Sequence, residues 1–176
     1  MALMPWPKPK STSMNTAFKF ALSSGARKNE YTRENQRDAR YYRRSNFTLY
    51  NNGEEVVITR AALQAARNGW YVRCVSVSSK ADQQNTEWGS RPMWFVIDDT
   101  QPLNFGAAWL EYERAHPCVP SQRDQWAAFS PTGGAEPWGA DAFAVAFKQL
   151  AERTIGPING LIPTPHWLCG SPWLRC

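Results

Sequence analysis

An α+β domain with a small, largely antiparallel sheet is the fold class that this chain of 176 residues predicts. Three observations carry it. The Val-rich alternation of Trp70–Ser78 and the apolar run Pro92–Asp98 read as strands. Asn51-Asn52-Gly53, set between two short apolar runs, reads as a hairpin turn, because Asn and Gly adopt positive φ cheaply. Two stripes at helical spacing, one through Phe105, Trp109, Tyr112 and His116 and one through Phe143, Ala146, Phe147 and Leu150, read as helices packed on that sheet.

Taken in order, residues 1–25 predict a flexible, basic, Pro-containing arm, with three prolines and two lysines in its first thirteen positions. Asn15–Leu22 within it is a short apolar stretch whose pattern decides nothing, and Gly25 ends it. Residues 26–176 then form one domain. Asn29–Arg44 has no Gly or Pro and places Glu30 and Glu34 three residues before an Arg, which predicts a helix. The hairpin follows, with strands at Phe47–Tyr50 and Glu54–Ile58. Thr59 is a cap for a helix over Arg60–Asn68 that Gly69 stops. After the two longer strands, Pro117 and Pro120 close the second helix. Gln125–Phe129 is an aromatic piece suited to an edge strand within a Pro- and Gly-rich stretch. The last helix, Asp141–Thr154, has an acid at its positive end and Gly156-Pro157 at its stop. Residues 157–176, with their prolines and tryptophans, predict a tail that wraps the domain. Strand, helix, strand, strand, helix is also the order of a ferredoxin-like split βαβ sheet.

Composition narrows the function classes. Hydrophobic content of 43% supports a packed core, and no apolar run approaches the ~20 residues needed to span a bilayer. No membrane partner is expected, and the chain reads as cytoplasmic. Four cysteines without a CxxC make no disulfide framework. His116, Cys118, His166 and Cys169 are a legitimate tetrahedral donor set, but their spacing fits no familiar zinc finger, so no metal and no cofactor is expected.

Charge is the strongest functional signal. Residues 1–44 hold ten Lys or Arg against three acids, whereas residues 45–176 hold ten against twelve, within a net charge of +5. On a helix, Arg33, Arg37, Arg40 and Arg44 fall within a ~60° stripe. Four guanidinium groups on one edge suit phosphate, which a planar fork binds through two hydrogen bonds. The expected function is therefore a non-catalytic nucleic-acid-binding accessory protein. Arg33, Arg37, Arg40 and Arg44 contact phosphates, Arg43, Lys8 and Lys10 add long-range attraction, and Tyr41 or Tyr42 stacks on a base. The alternative is an inhibitor or adaptor that docks the same arginines on an acidic, nucleic-acid-binding surface of a partner complex. The structural account of the stripe is a solvated helix held by ion pairs with Glu30, Glu34 and Asp38.

Two further motifs weigh less. In Arg91–Asp98 (RPMWFVID) only one of Trp94 and Phe95 can face away from the core, and ordinary core packing is the expected role. Asp98 and Asp99 at a strand exit, with Glu111 or Glu113, are oxygen ligands of the kind a metal-dependent nuclease or phosphotransfer enzyme uses. Paired acids followed by Thr100, Gln101 and Pro102 serve more commonly as turn formers. No GxSxG, HExxH or phosphate-cradling glycine loop occurs, so no catalytic residue is assigned.

Overall fold

The computed structural model describes residues 6–26, 32–33, 41–77 and 91–155. Its centre is a four-stranded, fully antiparallel sheet built from β2 (Phe47–Asn51), β3 (Glu54–Val56), β4 (Tyr71–Cys74) and β5 (Met93–Val96), in the order β3-β2-β4-β5. Asn52 and Gly53 both take positive φ, 51° and 84°, so the β2–β3 hairpin turns as its sequence requires. A separate two-residue parallel pair joins β1 (Thr32–Arg33) to β6 (Trp138–Gly139). The fold class is the expected one. Ferredoxin-like order is not observed: β2 lies between β3 and β4, where that order requires β5, and β5 stands at the sheet edge.

Helices cover one face of the sheet. α2 (Arg60–Ala65) starts at Thr59, whose Oγ1 accepts from Ala62 N at 3.1 Å. α3 (Phe105–Ala115) starts at Asn104, whose Oδ1 accepts from Ala107 N at 2.7 Å. α4 (Ala140–Ile155) closes the described chain. α2 is shorter than its sequence pattern because the Arg114 side chain caps its end, donating to the carbonyls of Leu63 at 2.8 Å and Ala66 at 2.7 Å.

The expectation of a flexible arm over residues 1–25 is corrected. Lys8–Ser24 is a helix, α1, lying along α3 with Met14, Ala17, Phe20 and Ala21 fully buried. Pro7 and Pro9 fit its start, where the first N–H groups have no helical acceptor in any case. Its buried hydroxyls are satisfied: Thr16 donates to the Thr12 carbonyl at 2.8 Å and lies 3.1 Å from that of Ala108, and Ser13 accepts from Trp138 Nε1 at 2.9 Å. Phe20 is the hub of the core, its ring meeting Tyr42, Phe47, Phe95, Phe105 and Phe129 at centroid distances of 4.9–6.1 Å.

A single helix over Asn29–Arg44 is also corrected at both ends. Thr32–Arg33 is extended, and Arg44 begins a 3-10 turn, Arg44–Asn46. Between them, residues 34–40, with Arg37 and Arg40, lie outside the described residues. The cause is pairing. Segment 42–44 runs beside 126–128, with Ala128 N donating to the Tyr42 carbonyl at 2.9 Å and Arg44 N to that of Trp126 at 3.0 Å. The piece expected as an edge strand therefore makes one bridge, Arg43 to Ala127, and otherwise runs as loop. The wrapping tail, 157–176, lies outside the described residues.

Candidate functional site

Strand alternation decides what each face of the sheet presents. Phe47, Leu49, Val72 and Cys74 point into the core, so Thr48, Tyr50, Tyr71 and Arg73 point the other way. In β5 the ring of Phe95 packs on Phe20 and Phe105, which turns Trp94 and Val96 outward. Register brings the outward residues together. Thr48, Arg73 and Trp94 form one row across β2, β4 and β5, and Tyr50, Tyr71 and Val96 form the next.

The result is an aromatic platform that no described element covers. Trp94 is 51% exposed and Tyr71 is 43% exposed. The ring of Tyr50 stands edge-on to Trp94 at 4.9 Å and fixes the indole in place, while its hydroxyl donates to Glu55 at 2.9 Å. Arg73 is the register partner of Trp94, and Arg91 is exposed just before β5. The platform thus offers flat apolar surface next to guanidinium groups. Core packing was the expected role of Arg91–Asp98. It holds for Phe95 and fails for Trp94, because the two alternate across the pleat.

Of the arginines expected to form a contact edge, Arg33, Arg43 and Arg44 are described, and they have different surroundings. Arg44 is fully buried and bonded to Glu113 at 3.3 Å, to the Gly133 carbonyl at 3.0 Å and to the His116 carbonyl. Tyr42 is buried against Phe20. Neither side chain reaches a partner from these positions. The expected helical place of Tyr42 and Arg44 fails because their backbone pairs with Trp126 and Ala128 instead. Arg33 is partly exposed and 3.9 Å from Glu136. Arg43 lies 5.0 Å from the Tyr41 ring and donates to the Asp124 carbonyl at 2.9 Å. The Lys10 amine stands over the rings of Trp6 and Trp138 at 4.9 and 5.7 Å, and Lys8 is exposed.

The acids expected as metal ligands have structural tasks. Asp98 Oδ1 accepts from Thr100 N at 3.0 Å and from its hydroxyl at 2.6 Å, and these bonds hold its carboxyl below the usual carboxylate range. Asp99 accepts from Asn68 Nδ2 at 2.6 Å. Glu113 is buried between Arg44 and Arg123. No cluster of three metal-ligating side chains occurs among the described residues. His116 bonds Thr12 Oγ1 at 3.3 Å, the Cys118 thiol is pushed up by burial, and His166 and Cys169 lie outside the described residues. No helix among the described residues is long and apolar enough to cross a membrane.

Comparison with known proteins finds no matching family model, no matching curated protein and no matching solved structure.

Proposed function

We propose that this protein is a nucleic-acid-binding accessory protein that holds a single strand on the open face of its sheet. The observation that carries the reading is the exposed pair Trp94 and Tyr71, set in register beside Arg73. Bases released from a duplex stack on such rings, and the guanidinium groups beside them meet the phosphates. The +5 chain, with its excess charge in residues 1–44, supplies attraction at longer range through Lys8, Lys10, Arg33, Arg37, Arg40 and Arg43. No catalytic step enters this reading.

Val57 and Val96, both exposed beside the platform, favour a second reading in which the same face docks on a protein partner as an inhibitor or adaptor.

Fluorescence anisotropy of labelled single- and double-stranded DNA and RNA across a salt series separates the two. Single strands are expected to bind more tightly than duplexes, with a log–log salt slope of about −0.7 for each phosphate contacted. Trp94→Ala and Tyr71→Ala each weaken binding by about 1–3 kcal/mol and leave that slope unchanged. Absence of binding at low salt, or indifference to both substitutions, overturns the nucleic-acid reading and leaves protein docking.

A further inference from the structure

On the helical side of the molecule, away from the open sheet face, a cleft of about 900 Å³ lies between α1, α3 and the connections that follow α2 and β5. Lys8, Asn15 and Lys19 of α1 enter it together, because their spacing of seven and four residues places them within a ~40° stripe of the helix. Ala107, Ala108 and Ala115 of α3 leave the room that larger side chains would fill.

Lys19 is the unusual group. Its side chain is nine-tenths buried, lines the cleft, and makes no hydrogen bond or ion pair among the described residues. Glu111 on α3 lines the same cleft without reaching it as an ion-pair partner. Burial holds the Lys19 amine below its ordinary pKa, and the Glu111 charge acts against that shift. Other charges at the cleft are already engaged: Arg114 caps α2, and Asp99 is bonded to Asn68. Lys8 and Arg67 add exposed positive charge at its rim. A lysine nine-tenths buried as a residue, with no direct counter-ion for its amine, in a space the size of a small-molecule site, suits an anionic ligand.

We infer that this cleft is a binding site for a small organic anion, whose carboxylate or phosphate group sits against the Lys19 amine with Lys8 and Arg67 at the entrance. The inference is independent of the sheet-face reading, since the residues of the two sites do not overlap.

The test is an NMR or calorimetric titration of the full chain with inorganic phosphate and with citrate. Saturable binding at millimolar concentration is expected, with citrate the tighter if carboxylates are preferred and phosphate if tetrahedral anions are. Lys19→Met weakens the better probe by about tenfold or more, the scale of a charge-assisted contact. Glu111→Gln tightens it several-fold by removing the competing carboxylate, and this variant keeps the test decisive should Lys19→Met fold poorly. Trp94→Ala leaves anion binding unchanged. No saturable binding of either probe, or equal affinity in wild type and both cleft variants, overturns the site and leaves Lys19 as a hydrated amine.

Discussion

Glu113 and Arg123 meet through two parallel bonds in the interior, Nη1 to Oε2 at 2.9 Å and Nη2 to Oε1 at 3.2 Å. Arg44 reaches the same Oε2 from the other side at 3.3 Å, so two guanidinium groups share one carboxylate. Further donors go to main-chain carbonyls, with Arg123 Nη2 at 2.9 Å from that of Arg44, while Arg44 Nε makes no hydrogen bond among the described residues. The network ties the entrance of β2 to α3 and to the loop after it. Removing the single negative charge leaves two buried cations facing each other. Glu113→Gln is therefore expected to cost about 3–5 kcal/mol, read as a lower urea midpoint. The triple variant Arg44→Met, Glu113→Leu, Arg123→Met should lose less than Glu113→Gln alone, because no unpaired charge remains. A urea midpoint for Glu113→Gln equal to wild type would mean that water reaches the cluster.

Gly106 sits where α3 begins its run across β5. A Cβ built there collides with the Val96 carbonyl oxygen and stands 3.1 Å from Ile97 Cα. Both neighbours are backbone, so neither can swing aside. Gly106→Ala should therefore destabilise by about 1–3 kcal/mol, although Ala is the better helix former. Thermal unfolding of this single variant checks it, and a gain in stability would show that α3 shifts along the sheet at little cost.

The elements legible in the sequence were those whose apolar residues repeat at the period of their structure. β4, β5, α3 and α4 follow that rule, with observed bounds within a few residues of the expected ones, and the 52–53 turn was legible from its Asn-Gly pair. α1 escaped because its buried face is written partly in Thr12, Ser13, Thr16 and Lys19, residues a hydropathy pattern assigns to solvent. Hydroxyls bonded to nearby carbonyls make that face tolerable in a core, and no spacing announces it. Arg44 misled for the opposite reason. A charged residue in a charged run looks solvated, and only Glu113 and Arg123, about seventy residues or more away in sequence, show that it is buried. The platform was half visible. Alternation required one of Trp94 and Phe95 to face outward, but the partner rings of Tyr50 and Tyr71 follow from strand register alone.

His116 should make the protein acid-sensitive. Burial lowers its pKa, the charges of Arg44 and Lys8 lower it further, and Glu113 opposes them. In the folded chain the imidazole stays neutral at pH values where the unfolded chain has already bound a proton. The unfolded state then holds more protons, so stability rises with pH across the window just below the ordinary histidine pKa and falls on acidification through it. Gly133 closes the space on the other side, since a Cβ there would lie 2.6 Å from His116 Cγ. Urea midpoints measured at constant ionic strength across this window should fall for the wild type and change less for His116→Gln, which keeps a polar group for Thr12. Parallel profiles would assign the acid sensitivity to carboxylates instead.

Lys19 gives the converse case, in which a site costs the fold stability. Its folded-state pKa lies below the ordinary lysine value because the amine is buried. Below the folded pKa the native state holds a charge it solvates poorly. As pH rises from there toward the unfolded value, the unfolded chain binds more protons than the native one, and stability increases with pH. Met has similar length and no charge, so Lys19→Met removes the penalty where it is largest. At neutral pH the variant should be more stable than wild type by about 1 kcal/mol, the scale of a single favourable substitution. The margin should narrow as the solution becomes strongly alkaline and the wild-type amine deprotonates in both states. Adding the anion that binds the cleft should narrow it too, at neutral pH and in proportion to its concentration, because ligand stabilises only the chain that retains the lysine. A margin that ignores both pH and anion would place the amine in water and sever the link between its burial and the cleft.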